Sequence, residues 1–162
     1  MATDAAGAEG CRPATRDDLG RLAALAEQAV EELRHGRGGE VWARTQGRTP
    51  PFAERFAREL DAPDHLVLAG TIDGTILGYG VARVDVLPDG GSLGIVTDLY
   101  VEPAARAVGI GEITMDALVA WCRARGCFGV DSLALPGDRH TKNFFESFGL
   151  VARAIVVHRP LT

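Results

Sequence analysis

The stretch GIVTDLYVEPAARAVGIG, residues 94–111, contains an apolar strand-like run, a turn with glycines and the start of a helical run. A strand that leads through a glycine turn into a helix exposes backbone N–H groups at the positive end of the helix dipole. Such a turn is a common binding site for a phosphate group. The stretch therefore predicts a β-strand and an α-helix joined by a turn that binds a phosphate-bearing ligand.

Length and composition indicate one globular domain. The chain has 162 residues, of which 46% are hydrophobic and 24% charged, close to the values of ordinary globular proteins. We therefore expect a single domain over residues 11–162. The first ten residues, MATDAAGAEG, lack the basic and apolar runs of a signal peptide, and we expect residues 1–10 to form a flexible tail.

Several classes of partner are disfavoured by the residues present. The formal net charge of -5 gives no electrostatic basis for binding nucleic acid. No apolar run reaches the 18 residues of a membrane-spanning helix. The histidines and cysteines show no metal-ligand spacing, so no metal site is predicted. Three cysteines without a CxxC pair favour reduced thiols and a cytoplasmic location.

The first third of the chain has a helical pattern. A short strand over residues 11–14 precedes Thr15, which is typical of a helix N-cap. Apolar residues then recur at helical spacing until about His35. The glycine-rich residues 36–51 are predicted to be a mobile segment that covers a substrate, and residues 52–60 a short amphipathic helix.

The rest of the chain alternates between strand and helix patterns. Turn-forming residues separate three consecutive antiparallel strands, and an amphipathic helix, a strand, a capped helix and a final strand follow. The expected strands are 65–70, 75–86, 92–101, 130–135 and 151–158, with helices over 109–125 and 138–148. The inward face of the first of these helices is predicted to be Ile110, Ile113, Ala117, Ala120, Trp121 and Ala124.

The element order β-α-α-β-β-β-α-β-α-β defines an α/β (α+β) fold. We expect one mixed, mostly antiparallel central sheet flanked by helices on both faces. The strand, helix and strand within residues 94–135 are expected to form a parallel crossover.

Three stretches of the chain resemble the GNAT superfamily of acyl-CoA-dependent N-acyltransferases. The turn RAVGIG, residues 106–111, follows DLYVEP, residues 98–103, as the family's R/Q-x-x-G-x-G/A signature follows its strand. The stretch TKNFFESFGL, residues 141–150, is similar to a second, looser family signature near the C-terminus. CRPATRDDL, residues 11–19, looks like the family's opening strand and capped helix, so the resemblance covers nearly the whole chain.

The resemblance implies acetyl-CoA or another acyl-CoA as co-substrate. Backbone amides of the turn would bind its diphosphate, and Arg106 would add a cationic contact. The backbone of Leu99 and Val101 would pair with the pantetheine arm along the splayed edge of the strand, with Asn143 also reaching the arm. The residues expected to bind the co-substrate are Leu99, Val101, Arg106, Ala107, Val108, Gly109, Ile110, Gly111, Glu112, Asn143 and Phe145.

Acyl transfer to an amine requires a neutral amine and a proton for the departing thiolate. By resemblance, Asp98 is the candidate for holding or deprotonating the incoming ammonium. The family's tyrosine proton donor falls at Phe145, which has no proton to give. Tyr100, His140 or a water would take its place, or the thiolate would leave unaided, since a thiol has a pKa of about 8.5.

The resemblance implies an N-acetyltransferase that acts by direct attack in a ternary complex. The acidic chain favours a primary amine of a small molecule or peptide as acceptor, and the segment containing Glu40, Trp42 and Arg44 is expected to shape acceptor choice. The alternative is a non-catalytic or regulatory module that binds acyl-CoA, which the phenylalanine at 145 leaves open. Relatives commonly form homodimers, which is also implied here.

Overall fold

The chain folds around one five-stranded sheet. The computed structural model describes residues 7–162 of the chain. Within these residues two single 3-10 turns, Arg16–Asp18 and Pro103–Ala105, accompany the regular elements. The strands are β1 Glu9–Pro13, β2 His65–Ile72, β3 Thr75–Val86, β4 Ser92–Val101 and β5 Val130–Ser132. The helices are α1 Leu19–Arg34, α2 Gly39–Thr45, α3 Phe52–Asp61, α4 Ile110–Ala124 and α5 Arg139–Ser147.

The strands lie side by side in chain order, from β1 to β5. β1 to β4 pair antiparallel with one another, whereas β5 runs parallel to β4 after the crossover through α4. The mixed, mostly antiparallel sheet of the predicted fold class is therefore confirmed. The predicted parallel arrangement of the strands on either side of α4 is confirmed as well.

Two apolar layers hold helices against the two faces of the sheet. On one face, α1 and α3 pack on side chains from β2, β3 and β4, with Phe56 and Tyr79 completely or almost completely buried. On the other face, α4 and α5 pack on the alternate residues of the same strands, such as Leu68 and Val96. Because successive side chains of a strand point to opposite faces, each central strand contributes to both layers.

A charged capping arrangement begins α1. The Asp18 carboxylate accepts hydrogen bonds from the Thr15 N–H group at 2.8 Å and from both Nη atoms of Arg12 at 2.7 and 2.9 Å. The hydrogen bond from Arg12 is the main cause that lowers the pKa of Asp18 to about 2. The predicted N-cap at Thr15 thus forms, with Asp18 completing it.

The structure changes the predicted boundaries of the short strands. β1 begins at Glu9, so the strand extends into the segment that was expected to be a flexible tail; residues 1–6 lie outside the described residues. β5 ends at Ser132, three residues before the predicted end at 135. Strand ends depend on pairing with a neighbour, which the pattern of one strand does not contain.

The predicted mobile segment 36–51 contains a helix. α2 packs against α1, burying Ala43, and Arg34 of α1 forms an ion pair with Glu40 at 3.1 Å. The glycines and prolines of this segment accompany a helix of seven residues, α2. The prediction of a segment without regular structure was therefore wrong for α2. The short helix is fixed by tertiary contacts because isolated helices of this length are not stable.

The inward face of α4 agrees only in part with the predicted one. Ile110 is buried, and Ala117 and Trp121 are partly buried against the core, as expected. Ile113, Ala120 and Ala124 are exposed, although they were expected to face the core. α4 is apolar around most of its circumference, so periodicity alone selected a stripe that overlaps the buried one only in part. The buried residues are Ile110, Thr114, Met115, Leu118 and Cys122.

The predicted final strand over 151–158 does not form. Residues 151–162 have no regular secondary structure and are exposed, including Ile155 and Val157 at 86% and 88%. An ion pair between Arg153 and Asp131 of β5 joins the segment to the sheet. A strand needs a hydrogen-bonding partner, and strand-forming residues alone do not supply one.

Truncating Leu118 should destabilise the fold far more than truncating Ile113 on the same helix. Leu118 is fully buried between α4 and the sheet, so Leu118→Ala should lower the free energy of unfolding by about 2–5 kcal/mol. Ile113→Ala, at the exposed position, should cost less than about 1 kcal/mol. Urea denaturation of both variants measures the difference. Equal losses would contradict the burial of Leu118 and the exposure of Ile113 on this helix.

Candidate active site

The edge of β4 that faces β5 is paired over three residues only. Gly94, Ile95 and Val96 pair with Val130–Ser132. The Ser132 hydroxyl donates to the Val96 carbonyl at 3.1 Å, and β5 ends there. Within residues 7–162, no strand pairs with this edge of β4 from 97 to 101. β5 therefore ends beside the middle of β4 and leaves an open backbone edge beyond Val96.

A β-bulge at Thr97 sets which groups face the open edge. Asp98 lies opposite Val81, but Val96 lies opposite Ala82, so Thr97 is the extra residue. Beyond the bulge, the Glu102 N–H group donates to the Leu77 carbonyl of β3 at 2.8 Å.

The pairing pattern then fixes the direction of the remaining backbone groups. Because hydrogen-bonded and non-hydrogen-bonded pairs alternate in an antiparallel ladder, the N–H and C=O groups of Leu99 and Val101 point away from β3. The structure thus places these two predicted contact residues at the open edge.

The turn after β4 presents backbone N–H groups without acceptors. Ala107 and Gly109 adopt left-handed conformations with φ of 66° and 95°, and such alternation makes a concave set of amides. Within the described part of the chain, no backbone carbonyl accepts from the amides of residues 107–112. The first backbone bond of α4 is donated by Ile113 to Gly109. The predicted residues Ala107, Val108, Gly109, Ile110, Gly111 and Glu112 therefore form a turn and helix start suited to an anion.

Arg106 points away from this turn. Its Nε donates to the Val101 carbonyl at 2.9 Å, and its Nη1 forms an ion pair with Glu32 of α1 at 2.8 Å. The guanidinium also lies 5.4 Å from the centroid of the Tyr100 ring. The hydrogen bond to Glu32 is the main cause that raises the pKa of Arg106. Arg106 therefore connects the end of β4 to α1 and occupies one acceptor of the open edge.

Asp98 belongs to a buried ion-pair network with Arg48, a residue that sequence analysis missed. Its Oδ1 accepts from Arg48 Nε at 3.1 Å and from the Tyr79 hydroxyl at 3.3 Å. Its Oδ2 accepts from Arg48 Nη2 at 2.9 Å and from the Thr97 hydroxyl at 2.7 Å. Arg48 Nη1 also donates to both oxygens of Glu59, at 3.1 and 3.0 Å. Four donors therefore occupy the Asp98 carboxylate, which has about four lone-pair sites.

The surroundings keep Arg48 charged and Tyr79 neutral. Burial opposes the charged form of Arg48, but Asp98 and then Glu59 outweigh it and raise the pKa of Arg48 above its usual range. Burial and the Asp98 charge raise the pKa of Tyr79 well above its ordinary value. Tyr79 therefore stays protonated and donates to Asp98. Two carboxylates and one guanidinium leave one negative charge in excess at this point of the structure.

Tyr100 lies on the same face of the sheet as Asp98. Its ring is buried in the layer beneath α1, and its hydroxyl donates to Glu32 Oε2 at 3.2 Å. Burial and the Glu32 carboxylate raise the pKa of Tyr100. The hydroxyl borders an open groove of about 550 Å³, whose lining includes Glu27, Gln28, Glu31 and Glu32 of α1.

α5 lies beyond the turn, on the other face of the sheet. Asp138 caps it by accepting from the Thr141 N–H group at 3.0 Å. The Phe144 ring packs beside Gly111 of the turn. Phe145 is buried in the apolar layer between α4 and α5, whereas Asn143 is exposed on the helix surface. His140 is exposed in the first turn of α5.

Sequence analysis predicted the backbone groups of this candidate site but not its ionic partners. Arg48 is one of several arginines in a glycine-rich basic segment, and its partner Asp98 is 50 residues away. Glu32 and Glu59 are ordinary exposed-face residues in the helical patterns of α1 and α3. No local spacing distinguishes them, so only the tertiary structure could have identified them.

Two further features concern metals and membranes. In the described residues, no group of three or more His, Cys, Asp or Glu side chains is arranged to hold a metal ion. No helix among residues 7–162 is long and apolar enough to cross a membrane.

Comparison with known proteins identifies the family. Residues 28–150 match the model of the acetyltransferase (GNAT) family. Because this match spans more than half of the chain, the protein belongs to the GNAT acetyltransferase family. No curated protein sequence matches the chain significantly.

Solved structures share the fold at low sequence identity. A tetramutant of the BH1408 protein from Bacillus halodurans is 21% identical, with a TM-score of 0.79 over 94% of this chain and 99% of that chain. Glucosamine-6-phosphate N-acetyltransferase from Arabidopsis thaliana is 19% identical, with a TM-score of 0.70 over 96% and 99%. AAC(6')-Iy in complex with the bisubstrate analogue CoA-S-monomethyl-acetylneamine is 16% identical, with a TM-score of 0.73 over 96% and 99%. At these identities the likeness shows the fold alone.

Replacing Gly109 should weaken acetyl-CoA binding specifically. Gly109→Ala strains a left-handed residue within the turn, whereas Gly126→Ala imposes the same kind of strain beyond the far end of α4. Both should destabilise the fold by about 1–2 kcal/mol. Only Gly109→Ala should also raise the Kd for acetyl-CoA, by about tenfold, as measured by isothermal titration calorimetry. Equal Kd values for the two variants would argue against diphosphate binding at this turn.

Proposed function

We propose that the protein transfers the acetyl group of acetyl-CoA to a primary amine of a small molecule or peptide, by direct attack in a ternary complex. The observation that carries this proposal is the open edge of β4, which leads directly into the amide-rich turn 106–111. The family is an acetyltransferase family, and one solved structure with the same fold contains a CoA-based bisubstrate analogue.

The turn and the open edge together fit an extended ligand with an anionic end. The free amides of residues 107–112 would hold the diphosphate. The edge groups of Leu99 and Val101 would pair with the amides of the pantetheine arm, as an added strand would. Arg106 donates a hydrogen bond to the Val101 carbonyl in this structure. Either Arg106 releases this carbonyl to the pantetheine arm, or the arm binds without using it. Asn143, exposed on α5, would make a polar contact with the arm, and the buried Phe145 would support it from behind.

The charges on the sheet face that carries α1 and α3 favour a cationic acceptor. The network of Asp98, Glu59 and Arg48 carries one excess negative charge, and the groove beside Tyr100 is lined by three glutamates of α1, of which Glu32 is paired with Arg106 and Glu31 with Arg34. An ammonium ion is attracted to such a surface. Direct proton removal by Asp98 is disfavoured because both of its oxygens are occupied by donors. We assign to Asp98 the holding of negative charge near the amine, with the amine proton passing to water before attack.

The reaction then needs few groups. The neutral amine nitrogen attacks the thioester carbonyl, the new C–N bond forms, the nitrogen loses its extra proton to water, and the C–S bond breaks with departure of the CoA thiolate. We assign the Tyr100 phenol, which its raised pKa keeps protonated at neutral pH, as the proton source for this thiolate: the hydroxyl turns from Glu32 to donate, and water then returns the proton to Tyr100. Phe145 is buried and carries no proton to donate.

Acetyl transfer should be detectable as amine-dependent release of free thiol from acetyl-CoA. We expect at least one cationic amine of a panel of aminoglycosides, polyamines and peptide N-termini to stimulate release. Tyr100→Phe should lower kcat at least tenfold without changing the Kd for acetyl-CoA, because it removes a proton donor and no cofactor contact.

The same measurements test the alternative. Tight binding of acetyl-CoA with no stimulation by any amine would support the non-catalytic acyl-CoA-binding module instead. An unchanged kcat in Tyr100→Phe would remove Tyr100 from the mechanism and leave water, or no acid at all, in that role.

We also propose that the protein forms a homodimer through its C-terminal segment. Val151, Ile155, Val156, Val157 and Leu161 are each 79–89% exposed, and the outer edge of β5 has no strand partner within the described chain. An exposed strand-forming segment and a free sheet edge complement each other between two copies of the chain.

Light scattering after size exclusion should therefore give twice the chain mass. Ile155→Asp should shift the population to monomer because it places a charge in the apolar contact. Val86→Asp, at an equally exposed residue at the end of β3, should leave the dimer intact. A wild-type mass of one chain at all concentrations would refute the dimer.

A further inference from the structure

Arg48 is the most deeply buried arginine among the described ion pairs, with 4% of its side chain exposed. It lies between α2 and α3 and contacts residues of two other elements, Asp98 of β4 and Glu59 of α3. Its guanidinium also lies 4.0 Å from the centroid of the Phe56 ring. Every side of the planar group is therefore in contact with the protein.

We propose that Arg48 is a positioning residue for acetyl transfer, which acts through Asp98 by fixing the bulge of β4. The inference rests on the proposed function of this edge. Arg48 itself does not reach the open edge, because its donors are directed at Asp98 and Glu59.

The bulge is the point at which this restraint matters. Asp98 directly follows the extra residue Thr97 and directly precedes Leu99, whose backbone faces the open edge. Arg48 holds Asp98 through two parallel hydrogen bonds from Nε and Nη2, a geometry that fixes both the distance and the orientation of the carboxylate. The Thr97 hydroxyl donates to the same carboxylate at 2.7 Å. The side-chain restraint is therefore transmitted to the backbone on which the thioester would lie.

Arg48 also connects this edge to the segment that precedes α3. The Gln46 and Gly47 N–H groups both donate to the Trp42 carbonyl at 2.7 Å, so α2 ends in a fixed turn immediately before Arg48. A displacement of α2 or of this turn would move Asp98 through Arg48. The structure thus links the segment expected to shape acceptor choice to the strand expected to hold the acyl donor.

A lysine cannot reproduce this role. An ammonium group is a single charged point and cannot donate the parallel pair to Asp98 while also contacting Glu59. Arg48→Lys keeps the charge that balances the buried carboxylates, so it tests geometry rather than charge. A reacting group misplaced by about 1 Å costs on the order of 100-fold in rate, so a decrease in kcat of at least tenfold is expected.

The chain offers a matched control at the start of α1. Arg12 makes the same kind of forked pair with Asp18, at 2.7 and 2.9 Å, in the capping arrangement and outside the network of Asp98. Arg12→Lys therefore removes an equivalent fork without touching β4. It should leave kcat and the Kd for acetyl-CoA within twofold of the wild type.

The experiment compares wild type, Arg48→Lys, Arg12→Lys, Asp98→Asn and the double variant Arg48→Lys with Asp98→Asn. Steady-state kinetics with an amine accepted by the wild type gives kcat and KM, and calorimetry gives the Kd for acetyl-CoA. Arg48→Lys should lower kcat at least tenfold with the Kd within twofold, since the turn 106–111 does not contact Arg48. The kcat of the double variant should lie within twofold of the kcat of Asp98→Asn, because Arg48 acts through Asp98.

Several results would overturn the inference. These are a kcat of Arg48→Lys within twofold of the wild type, an equal loss in Arg12→Lys, or independent losses that multiply in the double variant. If Arg48→Lys does not fold, Glu59→Gln loosens Arg48 from the side away from β4 and should lower kcat about threefold; no change would again refute the proposal. A wild type that binds acetyl-CoA but acetylates no amine would instead refute the proposed function, and the inference with it.

Discussion

The early end of the pairing between β4 and β5 is the constraint on which the rest of the site depends. Two parallel strands joined by a helical crossover would normally pair along their full length. Here the ladder stops at Val96 and Ser132, and β4 continues to Val101 paired with β3 on one edge only. Unpaired backbone groups at the edge of a sheet bind an extended chain or ligand. The turn with free amides begins a few residues later, so one continuous backbone surface is available to a ligand.

The exposed edge must be kept rigid without a neighbouring strand. Side chains do this from the face that carries α1 and α3. Arg48 holds Asp98 next to the bulge, and Glu32 holds both Tyr100 and Arg106 at the end of the strand. A buried ion pair, such as those of Arg48, adds little net stability compared with apolar packing, and a half-exposed pair, such as that of Arg106 with Glu32, is also worth little. The contribution of these pairs is therefore geometric. They fix Asp98, Tyr100 and Arg106, which lie before, between and after the edge-facing residues Leu99 and Val101.

The backbone features of the fold could be predicted from the sequence, whereas the ionic contacts could not. Strand and helix periodicity identified β2, β3, β4 and α4 and the glycine turn between the last two, since these depend on local pattern. Neighbours distant in sequence decide which stripe of α4 faces the sheet and whether residues 151–158 form a strand. The contact of Arg48 with Asp98 has the same origin. Family resemblance led to Asp98 and Tyr100, but their partners emerged only from the tertiary structure.

The ion pair between Glu32 and Arg106 has a thermodynamic consequence. Glu32 borders the groove on the face that carries α1, and Arg106 contacts the Val101 carbonyl at the open edge of β4. A cation that binds Glu32 competes with Arg106, and a ligand that takes the Val101 carbonyl releases Arg106 from one of its acceptors. Linkage requires that any such effect be reciprocal: whatever factor the first molecule imposes on the affinity of the second, the second imposes on the first.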